Sequence, residues 1–100
     1  MEVKMTQNDK NLIVALEGRL DVVTARDLEM IIMPEIEKSE SLVFDFAKLE
    51  YISSAGIRVL MGSYQTMSAK GGSMVIRNVT DQGVKEVFEV TGLNSVLNFE

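Results

Sequence analysis

No cysteine and no histidine occur among the 100 residues, and proline occurs once. Without cysteine the chain has no disulfide framework, no thiolate nucleophile and no cysteine-based zinc site. Without histidine it lacks the commonest general base, and with it the Ser-His-Asp arrangement and most catalytic zinc sites. Carboxylate-held Mg²⁺ or Ca²⁺ and Ser-Lys chemistry are what these absences leave open. Positive charge is also scarce: ten Lys or Arg stand against fifteen Asp or Glu, a formal charge of −5. Nucleic-acid affinity rests on cations that neutralise phosphates, so such a chain is a poor binder of nucleic acid. No apolar run approaches the roughly 20 residues of a membrane span, and residues 1–10 hold no apolar signal-peptide core. These features predict a cytoplasmic protein that is not an enzyme and carries no cofactor.

What is present is enough to fold. Hydrophobic residues make up 46% of the chain, too many for intrinsic disorder at this modest net charge. The length suits one core, so residues 1–100 are expected to form a single domain. No linker, internal repeat or low-complexity tract divides them.

The apolar pattern predicts the elements in turn. Residues 1–5 alternate roughly, residues 7–11 form a polar turn, and the apolar run at residues 12–16 ends near Gly18. That reads as a hairpin whose second strand breaks at residues 18–21. Thr24 is a good helix N-cap with Asp27 three residues on. Ala25, Leu28, Ile31, Ile32 and Ile36 then share one helical face. Pro34 lies inside this pattern, where it costs about 3 kcal/mol in a regular interior. A kink, or an end near Met33 with a further turn beyond, is expected. Residues 42–46 (Leu-Val-Phe-Asp-Phe) read as a central strand covered on both faces. Residues 48–54 read as a loop.

A second helix begins near Ser53 or Ser54, with Ile57, Leu60, Met61, Tyr64 and Met67 on one stripe, and Gly71-Gly72 stop it. A strand at residues 73–76 follows, then a helix starting within residues 78–81 with Val84, Val87 and Phe88 inward. Gly92 closes that helix, and residues 96–99 can pair as a last strand. Strands alternating with helices imply an α/β fold. The prediction is a mixed four- to five-stranded sheet with an N-terminal hairpin and three main helices.

Chemistry is best placed at Ser53 and Ser54, after a strand and at a helix entrance, where backbone N–H groups lack partners and favour an anion. A serine there can also be nothing more than an N-cap, and the string has no Lys and no longer Gly-spaced loop of a P-loop. Asp21 follows the strand at residues 12–16 and reaches the same rim, or else serves as a loop or cap residue. Asp45 interrupts an apolar strand and is expected to be paired or solvent-facing; no metal site is assigned to it. The seven methionines read mostly as core filler.

Three stretches in order carry a resemblance over the whole chain: residues 16–21 (Leu-Glu-Gly-Arg-Leu-Asp) with Thr24-Ala25, residues 42–46, and residues 51–57 (Tyr-Ile-Ser-Ser-Ala-Gly-Ile). The chain resembles a STAS domain, the module of bacterial anti-sigma-factor antagonists and of the cytoplasmic tails of sulfate transporters. The resemblance implies an antagonist that works by partner switching. It would bind an anti-sigma serine kinase when unphosphorylated and be released when Ser54, two positions before Gly56, is phosphorylated. A phosphatase would restore it. Asp21 is implied to lie near the phosphorylated serine, and Asp21, Ser53, Ser54, Gly56 and Arg58 to form the docking rim. Many members carry Asp immediately before that serine; here it is Ser53, which stands as the alternative site. The same resemblance allows a STAS subunit of a lipid transporter or sensory complex that is never phosphorylated.

Overall fold

The computed structural model describes residues 1–100, in the order β1 (Glu2–Asn8), β2 (Asn11–Leu20), α1 (Val22–Glu37), β3 (Ser41–Ile52), α2 (Ser54–Ala69), β4 (Ser73–Arg77), α3 (Gln82–Thr91), a short 3-10 turn (Leu93–Ser95) and β5 (Asn98–Phe99). The five strands lie side by side in chain order. Only the β1–β2 hairpin is antiparallel; β2 to β5 are parallel. A two-residue turn closes the hairpin, with Asp9 in the left-handed region. Asp tolerates that conformation better than most residues.

The register explains the core. Leu12, Leu42 and Met74 are neighbours across three strands, as are Val14, Phe44 and Ile76. Their side chains point to one face, and all are buried in a cluster of 21 apolar residues. Ala25, Leu28, Ile32 and Ile36 of α1, Val59, Leu60 and Met67 of α2, and Val84 and Phe88 of α3 are the helical share of that cluster. Phe46 stacks on Phe88 at 6.3 Å, and Phe88 meets Phe99 edge-on at 5.0 Å. The opposite face carries no helix. Ile13, Val43, Asp45 and Val75 are only half-buried there, so the expectation that β3 is covered on both faces is corrected to one.

The second correction concerns length. β3 runs on to Ile52, so the segment expected to be a loop is strand. While β2 advances from Ala15 to Glu17, β3 advances from Asp45 to Lys48, and from Gly18 to Arg19 it again spends one residue more, Leu49 to Tyr51. Two bulges therefore sit in β3, each turning the following side chain to the other face. That is why the buried residues Phe46, Leu49 and Ile52 are spaced by three, a spacing that does not read as a strand. On β2 the predicted break at residues 18–21 is likewise strand as far as Leu20, with Gly18 at φ 104° beside the irregularity.

Helix α1 differs in detail too. It starts one turn earlier than Thr24 suggests, because Asp21 is the N-cap. Thr24 is instead the third helical residue, and its hydroxyl accepts from the Asp21 N–H. Pro34 does not end it. The helix continues to Glu37, with Pro34 and Met30, whose carbonyl loses its donor, both on the solvent side where water can serve that oxygen. Ile31 is 44% exposed rather than inward-facing. Of the methionines only Met67 and Met74 are fully buried, and Met30 stands 72% exposed. Asp45 is paired as expected, accepting from the Ala47 N–H and from Asn78 Nδ2.

Candidate functional site

Parallel strands β2 and β3 end together, Leu20 opposite Ile52, and each delivers the chain straight into a helix. Asp21 caps α1 and Ser53 caps α2. The Ser53 N–H donates to the Leu20 carbonyl at 2.9 Å, which pins the two helix starts side by side. The first-turn N–H groups of two helices, several of them taken up by the caps, and two positive dipole ends thus share one rim of the sheet.

The serines divide their roles. Ser53 is half-buried, and its Oγ accepts from the Gly56 N–H at 3.3 Å, so that hydroxyl is engaged in capping. Ser54 is the first helical residue; it is exposed, and its hydroxyl makes no hydrogen bond within the chain. A group arriving from solvent meets Ser54 first.

Asp21 is held firmly. The backbone N–H and the hydroxyl of Thr24 both donate to its carboxylate, at 3.0 and 3.1 Å, and the Val23 N–H donates at 3.1 Å. The Thr24 backbone bond, then its side-chain bond, hold the Asp21 carboxyl below the usual range; partial burial opposes this, and Val23 and the Arg19 charge assist. A depressed folded-state pKa means that this contribution is complete above the unfolded value of about 3.9. It is lost as pH falls through the folded value. Asp21→Asn keeps an oxygen able to cap α1 but removes the charge. The difference in Tm between wild type and Asp21→Asn should therefore hold steady near neutrality and close below about pH 4. A thermal-melt series in which the difference widened in acid would contradict this assignment.

Gly56 is a correction to the docking rim. It is buried, and a Cβ there would stand 2.8 Å from Ile52 Cγ1 and 2.8 Å from Leu20 Cγ. The first turn of α2 rests directly on the ends of β2 and β3, and only a residue without a side chain permits it. Gly56 shapes the rim from beneath. Arg58 is exposed, one turn beyond Ser54 on the same face of α2. It lines a groove between α1 and α2 with Val22, Arg26, Glu29 and Ala55.

Three features escaped sequence reasoning. Val22 and Val23, in the first turn of α1, are 62% and 70% exposed beside the serines; two adjacent valines at a helix start were the available signal. Arg19 lies over the Tyr51 ring at 4.1 Å, a cross-strand pair visible only once the bulged register is known. Arg26 enters from α1, a different helix. No group of three or more Asp or Glu gathers where it could hold a metal ion, and no helix is long and apolar enough to cross a membrane.

Known proteins resemble this chain in sequence and in fold. The family model of the STAS domain matches residues 2–100. The BtrV protein of Bordetella bronchiseptica is 33% identical over 97 residues, covering 96% of this chain and 83% of that protein. The anti-sigma-B factor antagonist of Bacillus subtilis is 26% identical over 98 residues, covering 98% and 89%. Among solved structures, the Bacillus cell fate determinant SpoIIAA in its phosphorylated form superposes with a TM-score of 0.78 at 18% identity, over 99% of this chain and 91% of that one. The unphosphorylated form of SpoIIAA gives 0.79 at 16% identity, over 99% and 87%. The fold is shared.

Proposed function

The chain belongs to the STAS domain family, and from that membership we propose that it is an anti-sigma factor antagonist that works by partner switching in the cytoplasm. Its relatives by sequence include proteins named for that role. In this reading the rim formed by Asp21, Ser53, Ser54 and Arg58, flanked by Val22 and Val23, docks on an anti-sigma factor that is also a serine kinase. Docking displaces the sigma factor. The kinase then transfers the γ-phosphoryl group of ATP to Ser54 Oγ, releasing ADP and a proton. A phosphatase reverses the modification by hydrolysis. The chain is the substrate of this chemistry and not its catalyst, which suits a sequence without His or Cys.

One observation carries the choice of residue: the Ser54 hydroxyl is exposed and unbonded while its neighbour Ser53 is engaged in capping. Phosphorylation adds about −1.5 to −2 charges at the rim. The start of α2 tolerates them, since anions at a helix N-terminus are favoured by about 0.3–1 kcal/mol. A closed interface does not, because desolvation and like charge both oppose it. The domain can therefore be switched without refolding. Incubation with the anti-sigma kinase encoded nearby and ATP, followed by phosphosite mapping, should place phosphate on Ser54. Phosphate on Ser53 alone, or on neither serine, overturns the proposal.

A further inference from the structure

We propose that Arg58, joined by Arg26 from across the α1–α2 groove, grips the phosphate of phosphorylated Ser54 within the same molecule. The inference rests on Ser54 as the modified residue and adds what becomes of the charge afterwards.

Ser54 and Arg58 stand four residues apart on α2, a spacing that brings their Cβ atoms within about 5–6 Å. Arg26 and Arg58 line one groove, although they come from different helices. Both are exposed, and neither side chain makes a hydrogen bond to the protein. Neither has a carboxylate within ion-pair distance either: in a chain with fifteen acids, the one such pair is Lys38–Glu35 at 3.8 Å. Two unpaired guanidinium groups thus share the groove that begins beside Ala55, the residue after the exposed serine, and one of them, Arg58, stands one helical turn from it. Guanidinium presents a planar fork of donors that matches phosphate oxygens two at a time. Two acids stand nearby: Glu29, which lines the groove, and Asp21, the N-cap of α1. Asp21 is turned toward the first turn of α1 by three hydrogen bonds, two from backbone N–H groups and one from the Thr24 hydroxyl, and Arg19 lies close enough to act on its charge. Glu29 shares the groove without pairing to either arginine. An arriving phosphate therefore breaks no existing ion pair.

The consequence is a self-contained off state. The arginine that faces the partner before modification turns to the phosphate after it, so modification adds repulsion and withdraws a contact at once.

The test needs no kinase: phosphoserine is installed at position 54 during translation, and the second ionisation of the phosphate is followed by ³¹P NMR against pH. In the folded wild type that pKa should lie below its value in the same protein unfolded by urea, where it is about 6. Arg58→Gln should raise it by about half a pH unit, and Arg58→Lys should restore most of the lowering. Arg26→Gln should raise it less, and the double variant most. The helix dipole persists in every variant, so the difference isolates the arginines. A folded Arg58→Gln protein whose phosphate titrates as in wild type overturns the grip, and an unchanged Arg26→Gln overturns its second arm. Absence of Ser54 labelling by the kinase would instead strike the proposed function, leaving this titration to be judged separately.

Discussion

Ser54→Ala should bind the anti-sigma partner as wild type does, take no phosphate from it in the presence of ATP, and so remain an antagonist that cannot be switched off. The reasons are local. The Ser54 side chain is exposed and bonded to nothing in the chain, so removing its oxygen leaves no unsatisfied group. Alanine is also the best helix former at an early helical position. The Ser53 cap is untouched. Ser54→Asp should go the other way. A carboxylate buried against a partner without a matching cation costs about 2–5 kcal/mol, roughly a thirtyfold to several-thousandfold loss in affinity. The effect should fall short of phosphate, because one carboxylate carries half the charge and fewer oxygens. Isothermal titration of both variants against the partner, with and without ATP, measures the contrast. Ser54→Ala labelled as strongly as wild type would remove Ser54 from the mechanism.

The second large effect is one of packing. Gly56→Ala puts a methyl group 2.8–2.9 Å from Leu20 and Ile52 side-chain atoms, in a place where Leu20 is 0% and Ile52 3% exposed. Overpacking of this kind costs about 1–3 kcal/mol, against a helix-propensity gain of up to about 1 kcal/mol for replacing glycine. Leu20→Ala alone opens a cavity at about 2–5 kcal/mol. Combined, the new methyl enters the space that Leu20 vacates, so the double variant should be more stable than the two losses added together by about 1 kcal/mol or more. Chemical denaturation of the four proteins gives the cycle directly. Strict additivity would mean that Gly56 does not rest on Leu20 as described. Because α2 is lifted in Gly56→Ala, Ser54 moves with it, and partner affinity should drop although no exposed atom has been changed.

How much of this was legible beforehand depends on whether two-residue or three-residue periodicity governed the segment. The runs at residues 12–16 and 42–46 alternate cleanly, and both strands follow. Past Phe46 the two bulges in β3 change the inward spacing to three; Lys48 and Glu50 then read as loop, because no local signal reports a bulge. The start of α1 was ambiguous for a different reason. Asp21-x-x-Thr24 and Thr24-x-x-Asp27 both have capping chemistry, and the choice was made by the end of β2, which only the sheet register sets. Pro34 costs the helix less than its interior position suggests, since the orphaned carbonyl faces water.

At the site, the serine pair and Gly56 could be read from their order after a strand, and the family resemblance singled out Ser54. Which hydroxyl is free could not, because Ser53 and Ser54 are identical in chemistry and differ only in which one occupies the cap. The sequence order places Gly56 on the rim, and the packing puts it beneath. Arg26 was invisible, because residues on separate helices share a groove only once both helices have been laid on the sheet.

The most direct test compares one partner with two forms of this chain. Equilibrium titration of the anti-sigma factor with the unmodified protein and with protein carrying phosphoserine at position 54 should show binding weaker by about a hundredfold or more for the modified form, with the backbone amide spectrum changed only around the start of α2 and the α1 groove. Equal affinities for the two forms would contradict switching by charge at this rim.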